Sequence, residues 1–107
     1  MTQEIDELTQ GLEDTVLEIM SIPEVDLNLE GIELRAEQLH ELTLKIMKLE
    51  TVSLHQLQAA LAAEGEKVQR SLETLDEAIK ANSDYVTMLH SIDYGLQILN
   101  SFFMRLL

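Results

Sequence analysis

Along most of the chain apolar residues recur at steps of three and four, the spacing that gathers side chains onto one face of an α-helix. Ile5, Leu8, Leu12, Val16 and Ile19 form the first such stripe and predict an amphipathic helix over residues 2–21, with Thr2 as its cap. Early carboxylates at Glu4, Asp6 and Glu7 suit the positive end of its dipole, whereas Gly11 costs it about 1 kcal/mol relative to Ala. Pro23 ends this pattern, because its ring removes an amide donor and pushes Ile22 toward extended geometry. Residues 22–31 then read as an extended, Pro-containing linker in which Val25, Leu27 and Leu29 alternate with polar residues. That alternation predicts three side chains laid across a helix pair, with a strand offered to a partner's sheet edge as the alternative.

Helical spacing resumes with Leu39, Leu42, Ile46, Leu49, Leu57 and Leu61. Two interpretations compete there. Ser53 followed by Gln56 fits a capping box that would start a new helix. The absence of Gly or Pro in Thr51-Val52-Ser53 favours one long helix over residues 32–63, bent near Thr51. Gly65 suits either a turn or a close helix approach, and Ala59, Ala60, Ala62 and Ala63 form a narrow surface before it.

The last segment, residues 66–107, carries Val68, Leu72, Leu75 and Ile79, then Tyr85, Leu89, Ile92, Leu96, Leu99, Phe103 and Leu106. A break is expected at residues 82–84, where Asn82-Ser83-Asp84 brings side chains that compete for backbone hydrogen bonds. Asn82 also falls within the stripe, where it could instead fix helix register as a buried polar residue. Val86, Met88, Ile98, Phe102, Met104 and Leu107 make this last run apolar on more than one side. The fold predicted for 107 residues is a single all-α domain, either an elongated antiparallel helical hairpin or a three- to four-helix bundle.

Charge changes this picture in one half only. Residues 1–44 hold twelve carboxylates against Arg35 alone, and the remainder holds eight against six bases, giving a net charge of −13. Glu4, Asp6, Glu7, Glu13, Asp14 and Glu18 form an acidic surface that reads first as a solvated face aiding solubility; as a field it would repel nucleic acid and anionic lipid and attract a basic partner. Lys45, Lys48, Lys67 and Arg70 are isolated among acids, so no nucleic-acid footprint is expected. Neither an apolar run long enough to span a membrane nor a basic leader is visible, and cytoplasmic residence is the expectation. Export without a cleaved signal stays open.

Candidate chemistry is sparse. His40 with Glu41 begins a zinc-protease signature that fails at Leu44, where the second His would stand. His90, Ser91 and Asp93 are the residue types of nucleophilic hydrolysis, but they share one helical turn without a strained nucleophile or an oxyanion pocket. They read as surface contacts, His90 pairing with Asp93 or Tyr94. Carboxylate pairs such as Glu13/Asp14 and Asp76/Glu77 are adjacent and diverge on a helix. With no Cys, no phosphate loop and no calcium loop, no catalytic residue, metal or cofactor is expected.

The stronger signal is surplus apolar surface. Met20, Met47, Met88 and Met104 have adaptable side chains, and the last helix looks too apolar for so short a chain to cover. The expected partner-binding face is Leu89, Ile92, Leu96, Leu99, Phe102, Phe103, Met104 and Leu106. In length, acidity and amphipathic helices, carried by the Leu39 to Leu61 helix and the Leu89 to Leu106 stripe, the chain resembles the small cytosolic export chaperones of flagellar and related type III secretion systems. That resemblance is one of general character and implies a chaperone or adaptor for a secreted or aggregation-prone helical protein. The expected function is therefore a non-enzymatic binding module, working as a homo-oligomer or hetero-complex. An acidic inhibitor or DNA mimic, or a structural homodimer, is the alternative.

Overall fold

The computed structural model describes residues 2–81 and 84–106. Five α-helices pack together among them: α1 (Thr2–Met20), α2 (Leu29–Thr51), α3 (Leu54–Ala81), α4 (Tyr85–Ile98) and α5 (Asn100–Met104). The 28 residues of α3, at about 1.5 Å rise per residue, account for the 44 Å long axis of a body 44 × 23 × 19 Å. Its radius of gyration, 13.9 Å, is near the roughly 13 Å of a compact 100-residue domain. The fold is thus an all-α bundle that is compact and somewhat elongated.

α1 and α2 lie antiparallel, joined at their connection by Arg35 Nη1, which donates to the Ile22 carbonyl at 2.8 Å. α3 runs alongside α1, and Gly11 explains how closely: a Cβ there would lie 2.6 Å from Leu72 Cδ2. A larger residue at Gly11 would require the end of the Leu72 side chain to shift. α4 returns antiparallel to α3, held by the Ser71 hydroxyl, which donates to the Gly95 carbonyl at 2.7 Å. Its other side faces α2, where Gln38 Nε2 donates to the Leu89 carbonyl at 2.6 Å. The four long helices close a ring in the order α1, α2, α4, α3, and α5 folds back onto α3.

Local chemistry fixes the element ends. Asn28 caps α2 by accepting from the Gly31 amide at 2.8 Å. Asp84 caps α4, accepting from both the Thr87 amide (3.0 Å) and the Thr87 hydroxyl (2.8 Å). These two donors, the hydroxyl foremost, hold the Asp84 carboxyl below its ordinary range. The predicted cap side chain of Thr2, the roles assigned to Asn82 and Ser83, and the apolar side chain of Leu107 lie outside the described residues. On either side of residues 82–84, α3 ends at Ala81 and α4 starts at Tyr85. The two helices pack antiparallel to one another and so are not one continuing rod.

Three expectations change. The long helix over 32–63 is two helices, because Val52 turns extended (φ −83°, ψ 157°). Ser53 then starts α3 by accepting from the Gln56 amide at 3.2 Å. Val52 before this cap and Leu57 beyond it both enter the core, the arrangement of a hydrophobic staple. The capping box thus prevails over the absence of Gly and Pro. Gly65 does not turn the chain but lies inside α3, next to a kink at Glu64 (φ −124°, ψ 17°). The linker is not uniformly extended: Pro23 leads into a 3-10 turn over Glu24–Asp26. Its three-residue repeat breaks the alternation, so of Val25, Leu27 and Leu29 only Leu27 is buried, while Val25 is 92% exposed and Leu29 also faces outward as α2 begins. A strand at a partner's sheet edge is therefore not formed by these residues.

The core runs the length of the ring, with Leu8, Leu12 and Ile19 from α1, Leu42 from α2, Val68 and Leu75 from α3, and Leu89, Ile92 and Leu96 from α4. Phe102 of α5 is fully buried and meets the half-buried Phe103 edge to face, ring centroids 5.2 Å apart.

Candidate functional site

The C-terminal face expected to meet a partner is largely the chain's own core. Leu89, Ile92, Leu96, Leu99, Phe102 and Leu106 are buried, as is Met88 from the group of surplus methionines. The physical reason is the position of α4, which packs against both α2 and α3 and so has its two apolar sides covered at once. α5 then caps the end. Of the expected face, Phe103 remains half-buried with Lys45 Nζ 5.1 Å from its ring centroid, and Met104 is exposed.

α5 is fastened by an ionic clasp. Arg105 Nε donates to Glu64 Oε1 at 2.9 Å, Ser101 Oγ donates to Oε2 at 3.2 Å, and Lys67 Nζ lies 3.4 Å from Oε2. Glu64 has a side chain only 10% exposed. The Arg105 hydrogen bond is the leading cause that holds its carboxyl below the ordinary glutamate range, against the opposing effect of burial. The kink at Glu64 is where this clasp leaves α3.

The remaining polar candidates do not converge. His90 Nε2 lies 2.8 Å from Glu30 Oε1 at the start of α2, so its partner is Glu30 and not Asp93 or Tyr94. Asp93 instead accepts from Gln97 Nε2 at 2.9 Å. His40 and His55 are exposed on α2 and α3. Among the described residues no group of three or more His, Asp or Glu side chains is arranged to hold a metal ion, and no helix is long and apolar enough to cross a membrane.

What stands out instead is an apolar ridge on α2 with a shallow groove on each side. Leu44 (52% exposed) and Met47 (53%) are one turn apart on this ridge. Toward α1 lies a groove of about 320 Å³ lined by Glu13, Val16, Leu17, Thr43, Ile46 and Met47. Its far wall is Leu17, 65% exposed. Toward the C-terminal end lies one of about 270 Å³, lined by Glu41, Leu44, Lys45, Lys48 and Phe103.

Six carboxylates of α1, Glu4, Asp6, Glu7, Glu13, Asp14 and Glu18, are all exposed. Gln3, Gln10 and Leu17 follow one another at steps of seven along the outermost line of the helix. The acids flank that line in two rows. Asp6 and Glu13 lie toward α2, where Glu13 lines the groove beside Leu17. Glu4, Glu7, Asp14 and Glu18 lie toward α3, where Glu4 faces Glu66, Arg70 and Glu73 across another shallow groove.

Sequence reasoning singled out Met47 and the acids of α1 but missed Leu17 and Leu44. The available signal was their position off the stripe: Leu17 follows Val16 and Leu44 follows Leu42, each turned away from the side its helix buries. No family model matches the chain, and comparisons with curated proteins and with solved structures give no match either.

Proposed function

We propose that this chain is a non-enzymatic protein–protein interaction module, a small acidic chaperone or adaptor of the cytoplasm, whose α1–α2 face receives an apolar helix of a partner. The observation that carries this reading is the ridge of Leu44 and Met47 beside Leu17, with a groove between them. Large apolar side chains at the rim and wall of a groove are what a helix laid across a helix pair requires. Methionine at the rim allows partners of different shape to be packed against it. Covering the exposed half of Met47 is worth about 0.8–1.6 kcal/mol, or roughly four- to fifteenfold in Kd.

The test is a Leu17→Asp/Met47→Asp double variant. Both positions are exposed, so helical content and thermal midpoint should stay near those of the wild type, in contrast to Leu96→Asp in the core. The wild-type chain should retain a stoichiometric partner in affinity capture from its native cell, and the double variant should lose it. Equal capture by the variant, or no stoichiometric partner for the wild type, would remove this assignment.

A further inference from the structure

We infer that the occupant of the α1–α2 groove is a cationic amphipathic helix of a different protein, with Lys or Arg flanking its apolar stripe; this rests on the helix-docking reading above. The charge distribution around the groove carries the inference. α1 contains six carboxylates and no Lys or Arg. Its two acidic rows run on either side of Leu17, and Glu13 forms part of the groove wall itself. On α2, Glu50 lies three residues beyond Met47, one turn further along the ridge.

Of the three cations of α2, Arg35 is held at the α1–α2 connection by the Ile22 carbonyl, away from the groove lining, and the two lysines face the other way. Lys45 and Lys48 line the opposite groove, and Lys45 is engaged with Glu41 at 3.0 Å and with the Phe103 ring. They do not neutralise the α1 side. A helix lying between Leu17 and Met47 therefore meets Glu13 in the groove wall on the α1 side and approaches Glu50 beyond Met47 on the α2 side. Positive side chains at those edges are attracted, and negative ones repelled, over the roughly 10 Å reach of unscreened charge.

This arrangement also decides against a second copy of the chain. Each copy carries a net charge of −13. Apposing two α1–α2 faces would bring Glu13 and Glu50 of one toward those of the other, with no base in the groove lining to compensate. Like charges across an interface are a device that rejects a partner. The apolar ridge supplies adhesion, and the acidic rows select what adheres.

The experiment uses the full chain and three synthetic helical peptides of about 18 residues, roughly five turns each. One has a Leu stripe flanked by Lys, one has the same stripe flanked by Glu, and one has the Lys residues with the stripe changed to Ser. Binding is measured by fluorescence anisotropy, and self-association by analytical ultracentrifugation. Three or four exposed ion pairs, each worth a factor of about two, give an expected preference of about tenfold or more for the Leu/Lys peptide over the Leu/Glu peptide.

Leu17→Asp/Met47→Asp should abolish binding of the Leu/Lys peptide, and Glu13→Lys/Glu50→Lys should remove or reverse its advantage. Equal binding of the Leu/Lys and Leu/Glu peptides, both lost in the apolar double variant, overturns the charge inference and leaves helix docking standing. Leu/Lys binding that survives the apolar double variant, or is matched by the Ser-striped peptide, overturns both. A wild-type dimer that dissociates on Met47→Asp overturns the inference in favour of a second copy.

Discussion

Two glycines in the α3–α4 hairpin should respond in opposite directions to the same substitution. Neither has a positive φ, so Ala fits the backbone at both. At Gly65, in α3, an added Cβ would meet nothing within 4 Å. Removing glycine's excess freedom in the unfolded chain should then stabilise the protein by about 0.5–1 kcal/mol. At Gly95, in α4, the same Cβ would lie 2.9 Å from Leu75 Cδ2, 3.1 Å from Leu75 Cγ and 3.4 Å from Thr74 Cγ2. Leu75 is buried and cannot swing into solvent. Helix separation would also strain the 2.7 Å bond from Ser71 to the Gly95 carbonyl. Overpacking of this kind costs about 1–3 kcal/mol; set against a propensity gain of about 1 kcal/mol, the net effect is a loss of about 0–2 kcal/mol. The two variants should therefore differ by about 2 kcal/mol, or about 8–16 °C in Tm for a domain of this size. Urea unfolding followed by far-UV circular dichroism measures the difference, with an unchanged m-value expected for both. Gly95→Ala proving as stable as Gly65→Ala would refute the close α3–α4 packing at Ser71, Leu75 and Gly95.

Gln38 is buried between α2 and α4, and although its Nε2 bonds the Leu89 carbonyl, no group among the described residues donates to its Oε1. Gln38→Met keeps the side-chain length while removing the desolvated acceptor, so stability should hold or rise slightly; a loss above about 1.5 kcal/mol, the upper range for one neutral hydrogen bond, would show that Oε1 is satisfied. The Glu64 clasp predicts a pH effect. Its folded pKa is lowered, chiefly by Arg105, so the ionised carboxylate contributes stability above the unfolded glutamate value, and this is lost as pH falls through the lower folded value. Glu64→Gln should lower Tm at neutral pH and make the acid-side decline shallower, with the Asp84 cap common to both proteins; parallel acid limbs in thermal melts would show that the clasp is not linked to folding.

Much of the fold was legible because the apolar stripes are regular. Ile5, Leu8, Leu12 and Ile19, and later Leu89, Ile92 and Leu96, are on the buried faces that their spacing implies. Periodicity says little about where a helix breaks, and Val52-Ser53 shows why. Extended geometry at Val52 lets a staple and a cap form together, a cooperative gain invisible residue by residue. The linker was misread for a related reason. Alternation at Val25, Leu27 and Leu29 looks extended until Pro23 starts a 3-10 turn whose repeat is three. Hydrogen bonds to backbone carbonyls, such as those from Ser71 and Gln38, had no sequence signal because they depend on which helices become neighbours.

Most of the C-terminal side chains expected at a partner surface are buried in the chain's own core, while Met104 stays exposed. Counting apolar residues on α4 treats each helix as having one neighbour, whereas α4 lies in a ring between α2 and α3 and needs two apolar sides. Tyr85, Tyr94 and Met104 stay exposed on α4 and α5, and Leu17, Leu44 and Met47 are exposed on neighbouring faces of α1 and α2. Those helices also belong to the half of the chain in which twelve carboxylates face one base. Had the ridge been on α4 and α5, its surroundings would have been nearly neutral and any apolar helix would have fitted equally well. On the function proposed above, its place on α2 beside α1 would couple adhesion to charge, and such coupling is what distinguishes a selective docking face from a patch that is merely sticky.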